Sequence, residues 1–233
     1  MVPSTARQPV WSYMDLGLLL GLSIPSILLA AIITKLLLLW VPQKGLVTAV
    51  GQVVIYAGVL GAMFLLLKLK YDLPFWESLG WRVPWENMAL TAFLGPVLAV
   101  GLVLISFYLD RQGGKTALDE LMKDRSSMIA IAIAATTIGP LFEEILFRGF
   151  AQPLLIRSLG IAGGIVATSL PFSLLHGPQN NWNWTRLFVL TLASIAFGVV
   201  RYRTRSTAAS TLTHAAYNLT GLAGLFFQGN KLN

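Results

Sequence analysis

Leu141-Phe-Glu-Glu-Ile-Leu-Phe-Arg-Gly-Phe150 stands in the middle of a long apolar run. Met128-Ile-Ala-Ile-Ala-Ile-Ala-Ala and Thr136-Thr-Ile-Gly-Pro140 lead into it. A charged side chain near the centre of a bilayer costs on the order of 3 kcal/mol by insertion scales. Glu143, Glu144 and Arg148 therefore need a purpose. On a helix Glu144 and Arg148, four apart, share a face and pair. Glu143 points about 100° away from Glu144. One carboxylate is neutralised within its own helix, and the other is left to aim elsewhere. Pro140 stands three residues before Glu143 and frees a carbonyl one turn back, near Thr136. Membrane helices tolerate such breaks where protein or water re-satisfies the backbone. The charges thus enter where the helix is disturbed, as a site facing a cavity requires.

The rest of the chain sets that helix in a membrane. Of 233 residues 55% are hydrophobic and 12% charged, with a mean hydropathy of +0.69. A soluble domain carries about 25% charged residues. The composition predicts an all-α polytopic membrane protein, a bundle of about seven transmembrane helices with short interfacial helices. The expected spans are 16–40, 45–67, 87–109, 126–151, 160–175, 187–200 and 207–227. Pro25 is expected to kink the first, and Ser126 or Ser127 to cap the fourth. Pro153 is expected to break the chain, with a short helix running on to Arg157. Gly160, Gly163 and Gly164 allow close helix contact in the fifth. Trp11 and Tyr13 in a 1–14 leader, and the tryptophans of 68–86, suit the water–lipid interface. Residues 117–124 read as a short amphipathic surface helix. Residues 1–125 form N-terminal helices and loops, packed as one domain with a core over 126–228.

Net charge is +7, but Lys and Arg mostly flank apolar runs, the ordinary pattern of membrane loops. No nucleic-acid partner is expected. The Arg201-Tyr-Arg-Thr-Arg205 cluster leans towards a cytoplasmic N-terminus. Cysteine is absent, so there is no disulfide, thiolate metal site or cysteine nucleophile. The first apolar run is too long for a signal peptide's hydrophobic region, and no cleavage site follows it.

Both histidines fall in apolar helical context. His176 ends the fifth span, with Phe172 four residues before it on the same face. His214 lies inside the last span, with Asn218 four residues after it. No acidic residue except Glu143 and Glu144 lies within a predicted span. Intramembrane ionisable groups face one another or a water-filled cavity, so spans four, five and seven are expected to meet at one polar pocket. Such a pocket suits amide hydrolysis. Glu143 would take a proton from a water held between it and His176. His214 and Asn218, one turn apart, would donate to the developing oxyanion. Glu144 and Arg148 would fix the helix and balance charge. Singly, each residue has a blander role: a structural ion pair, an interface histidine at a helix end, an asparagine joining two helices. Taken together, those roles would leave every costly residue an accident.

Glu143-Glu144-x-x-x-Arg148, Phe172-x-x-x-His176 and His214-x-x-x-Asn218, in this order on three spans, resemble the CPBP family. These are the CAAX proteases and bacteriocin-processing enzymes, also called Abi, and include the Rce-type prenyl endopeptidases, intramembrane glutamic proteases. The resemblance covers about 126–224, and Ser78-Leu-Gly-Trp-Arg-Val-Pro84 is similar to the segment before the core in bacterial members. It implies an intramembrane endopeptidase in which Glu143 and His176 activate water and His214 and Asn218 form the oxyanion hole. Glu144, Arg148 and Phe172 support them. It implies a peptide or protein substrate, prenylated or otherwise membrane-associated. The compact loops read as prokaryotic, so the multi-pass protein is expected in a prokaryotic plasma membrane. No cofactor is expected. The metalloprotease alternative would place zinc between Glu143, His176 and His214, although no H-E-x-x-H is present. Two other functions compete: a non-catalytic peptide-binding or immunity protein, and a proton-coupled transporter. A transporter more often shows inverted repeats, and the sequence has none.

Overall fold

The computed structural model describes residues 9–83, 85–110, 114 and 116–229, with side chains through residue 224. The first eight residues of the leader and Pro84 lie outside the described residues. Helix follows helix: α1 (Tyr13–Leu37), α2 (Lys44–Leu65), α3 (Phe75–Ser78), α4 (Met88–Leu109), α5 (Ala117–Leu121), α6 (Arg125–Ile133), α7 (Gly139–Glu144), α8 (Gln152–Leu175), α9 (Trp184–Thr204) and α10 (Thr207–Gly229). Wide π-helical turns extend α2 through Leu66–Lys70 and join α6 to α7 to α8 through Ala134–Ile138 and Ile145–Ala151.

Among the described residues five helices are long and apolar enough to cross a membrane: Tyr13–Leu37, Lys44–Lys70, Trp85–Leu109, Arg125–Leu175 and Trp184–Thr204. The bundle is an all-α integral membrane fold. Leu20, Leu28 and Ile32 on α1, and Phe93, Val103 and Phe107 on α4, are exposed. Apolar surface of that extent is untenable in water and is natural against lipid. The helix Arg125–Leu175 runs for 51 residues. At about 1.5 Å per residue it would reach about 76 Å if straight, more than twice the apolar thickness of a bilayer. It turns back at Gly160, whose φ of 73° and ψ of 176° suit glycine alone. A Cβ on Gly164 would lie 2.5 Å from the backbone N of Ile156, so the two arms touch through glycine. With this helix taken as two arms and α10 added, each of the seven expected spans has a helical counterpart.

Three local expectations are corrected. The break falls at Gly160 rather than Pro153. Pro153 sits at the start of α8, just after a π turn, where its missing N–H breaks no regular ladder. The cap of α6 is Asp124, whose carboxylate accepts from the Ser127 N–H at 2.9 Å. Ser127 is fully buried and instead accepts from the Leu46 N–H, in the first turn of α2. Trp11 does not sit in an interfacial belt. It is buried, stacks on Phe150 at 5.0 Å and donates to the Phe150 carbonyl at 2.9 Å. Arg157 donates to the Pro9 carbonyl beside it at 2.8 Å.

The segment resembling a pre-core motif bolts the bundle together. Leu79 is fully buried, next to Gly149, where a Cβ would stand 3.1 Å from the Leu79 Cβ. Gly80 turns the chain with φ of 69°. The carbonyls of Leu79, Gly80 and Arg82 then accept from the Thr207 hydroxyl, the Thr207 N–H and the Ser206 hydroxyl. The start of α10 is thereby fixed, and with it the depth at which His214 sits.

Candidate active site

Glu143 and Glu144 are consecutive on α7 and leave the helix on different faces. Glu144 is fully buried. Its Oε1 lies 2.9 Å from Arg148 Nη1 and 3.0 Å from His214 Nδ1, and its Oε2 accepts from the Ser210 hydroxyl. Arg148, 1% exposed, also donates to the Ser194 carbonyl at 2.8 Å and the Ser194 hydroxyl at 2.7 Å on α9. The expected ion pair is therefore present, and it does more than balance charge. It ties α7 to α9 and α10, and it holds one edge of His214.

Glu143 faces the other way. His176 Nε2 is 3.9 Å from its Oε1, and His214 Nε2 is 3.8 Å from its Oε2. The Tyr56 hydroxyl donates to Oε1 at 3.1 Å. Both imidazoles are oriented from behind. His176 Nδ1 stands 2.8 Å from the Phe172 carbonyl, which can only accept, so that nitrogen carries the proton. His214 Nδ1 faces the Glu144 carboxylate, another acceptor. Both Nε2 atoms are thus aimed at Glu143.

Aromatic rings wall the cluster. Phe172 meets His176 at 4.8 Å and His214 at 5.7 Å, and the Arg148 guanidinium lies 4.7 Å above its ring. Phe197 stacks on His214 at 4.5 Å with an interplanar angle of 20°. Phe147 closes edge-on to Phe172 at 5.3 Å. Charged groups gain most from one another where such walls keep water out.

Asn218 makes the helix-joining bond of its blander role. Its Nδ2 donates to the Ala135 carbonyl at 2.7 Å. In the π turn the Gly139 N–H takes the Ala134 carbonyl, so the next carbonyl, Ala135, faces Pro140, which has no N–H to give. The carbonyl orphaned by Pro140 is Ala135 rather than Thr136, and Asn218 satisfies it. Asn218→Ala should cost about 1–3 kcal/mol, the usual penalty for an unsatisfied buried acceptor. Thermal unfolding in detergent would show it, and an unchanged midpoint would mean that water replaces the amide.

The expected residues Glu143, Glu144, Arg148, Phe172, His176 and His214 are brought together by the contacts given above, whereas the contact of Asn218 is to the Ala135 carbonyl. Sequence reasoning missed Tyr56, Ser194, Phe197 and Ser210. The hydroxyl-rich run at 206–213 signals Ser210, and Ser194 is a polar residue inside an apolar span. Tyr56 and Phe197 carry no comparable signal, since an aromatic residue in a membrane helix is ordinary.

Compared with known protein families, residues 125–220 match the model described as Type II CAAX prenyl endopeptidase Rce1-like. The segment is similar to that family. It starts at the first residue of α6 and ends two residues after Asn218, so it holds every site residue expected from the sequence. Searches of curated proteins and of solved structures gave no match. The matched segment lies within a bundle built for a membrane. One contact to Glu143 comes from outside that segment, from Tyr56 on α2.

Proposed function

We propose that this protein is an intramembrane endopeptidase in which Glu143 and His176 activate a water without a metal. The observation that carries the reading is the aim of two imidazole Nε2 atoms, from separate helices, at the two oxygens of one partly buried carboxylate. A gap of 3.9 Å between Glu143 Oε1 and His176 Nε2 is too long for a direct hydrogen bond. It suits one water, because two bonds of about 2.8 Å meeting near a right angle span about 4 Å. Both atoms accept, so the water's two protons point at them and its lone pairs face outward.

The water oxygen adds to the peptide carbonyl carbon as Glu143 takes one of its protons. The carbonyl π electrons move to oxygen. A charged His214, backed by Glu144, and the second amide hydrogen of Asn218 would stabilise that oxyanion. The C–N bond then breaks, and the proton held by Glu143 passes to the leaving amine. With His214 charged, two carboxylates face one guanidinium and one imidazolium, and the buried cluster is neutral. Membrane-associated peptides are the proposed substrates, prenylated CAAX-type C-termini among them.

Zinc is the rival for the same atoms. The free Nε2 atoms and the Glu143 carboxylate are suitable donors in kind. Yet no group of three His, Cys, Asp or Glu among the described residues has the spacing to hold a metal, and Tyr56 already occupies Glu143 Oε1. The test is cleavage of quenched peptides, prenylated and unprenylated, by the protein in liposomes, with and without a strong chelator. Cleavage that survives chelator supports the proposal. Cleavage lost to chelator and restored by zinc replaces it with a metalloprotease. No cleavage by the wild type across a broad library turns it to a peptide-binding protein.

A further inference from the structure

We infer that Tyr56 is a positioning residue for the general base. The inference rests on the endopeptidase reading above. Among the described residues the Tyr56 hydroxyl is the one hydrogen-bond donor to Glu143, at 3.1 Å from Oε1. The two neighbours that would otherwise hold the carboxylate are imidazole Nε2 atoms at 3.9 and 3.8 Å, beyond hydrogen-bond reach. His176, with its proton on Nδ1, presents a lone pair at Nε2, which repels a carboxylate rather than orienting it, and His214 Nε2 stands too far off to bond it. Without Tyr56 no hydrogen bond from the described residues fixes the rotamer of the base.

The tyrosine is itself directed. Gln52, one turn earlier on α2, donates its Nε2 proton to the Tyr56 oxygen. That occupies a lone pair and turns the hydroxyl proton towards Glu143. The ring lies on Phe142, the residue before Glu143, with centroids 3.8 Å apart and planes 15° from parallel. Ring position and hydroxyl aim are thus set by different contacts, so the hydroxyl can be removed while the ring stays. Once Oε1 is held, its remaining lone pair faces the water between it and His176. Oε2 is left free towards His214.

Tyr56 lies on α2, well before the matched segment begins at Arg125. The inference therefore assigns part of the reaction centre to the N-terminal half. Tyr56→Phe keeps the stack on Phe142 and deletes one charge-assisted hydrogen bond. It should lower kcat by about 10- to 100-fold, the range a bond to a charged group commands. KM for a quenched peptide and the unfolding midpoint in detergent should stay unchanged. Gln52→Leu should lower kcat less, by a few-fold, with the same constancy of KM. In a Glu143→Gln background Tyr56→Phe should have no further effect on residual cleavage, since residues acting as a unit are not additive.

A fall in stability that tracks the fall in kcat would make Tyr56 a packing residue and overturn the inference. So would an unchanged kcat in Tyr56→Phe beside an active wild type. If the wild type cleaves nothing, the endopeptidase reading and this inference fall together. The wild-type assay thus separates the two failures.

Discussion

Glu143→Gln should reduce peptide cleavage by about 10²- to 10⁴-fold, the span over which general-base catalysis operates. The change is nearly isosteric. A glutamine oxygen can still accept from Tyr56, and the amide still fits between the two histidines. What disappears is the ability to take a proton from water. Folding should therefore be untouched, and binding of an uncleaved peptide should persist. Glu144, the neighbouring residue, gives the internal control. It already accepts from His214 and Ser210 and is paired with Arg148, so it cannot stand in as the base. Turnover in Glu143→Gln within a factor of two or three of the wild type would sink the mechanism. A transporter would instead lose proton coupling, with no cleavage to lose.

Arg148→Met should be the most destabilising single change in the core. Arg148 and Glu144 are 1% and 0% exposed in their side chains, and breaking such a pair by removing one partner costs about 3–5 kcal/mol. The penalty comes from the carboxylate left without its counter-charge. The Ser194 carbonyl and hydroxyl lose their donor as well, so α9 loosens from α7. Methionine fills much of the arginine's volume beside Phe172 and Phe197, which isolates the electrostatic loss from a cavity. Adding Glu144→Gln should recover part of the stability, because the uncompensated charge is then gone, but not activity, because His214 has lost its charged backing. Unfolding midpoints of the single and double variants would decide it. A single variant that loses less than about 1 kcal/mol would show that water already screens the pair.

Much of this is legible in the sequence, for a reason that belongs to membranes. Apolar surroundings make each polar residue conspicuous, so Glu143, Glu144, Arg148, His176, His214 and Asn218 stand out. The i,i+4 spacing rightly pairs Glu144 with Arg148. It does not show that His214 shares the same carboxylate, since that depends on how deep α10 sits. Depth is fixed by Ser206 and Thr207 gripping the backbone at 79–82, and no periodicity encodes that. A proline in an α-helix costs a bond, so Pro153 reads as a break. The π turn before it supplies a position where no bond is due. Tyr56 stays hidden because its hydroxyl matters only through one distant partner.

The wide turn Ala134–Ile138 bears on what lengths this chain can tolerate. A π turn carries one residue more than the α turn it replaces. Excising a single residue there would advance everything downstream by about 100° of rotation. Ser127 would still meet the first turn of α2, but Glu143 would swing off Tyr56, and the Glu144 carboxylate would swing away from His214. The helix can satisfy both ends only with its present residue count. A one-residue deletion between Ala134 and Ile138 is therefore a phase error, expected to silence the protein more completely than most substitutions at the same positions. An insertion in the exposed turn at Pro178–Asn180 shifts no helix face and should be borne far better.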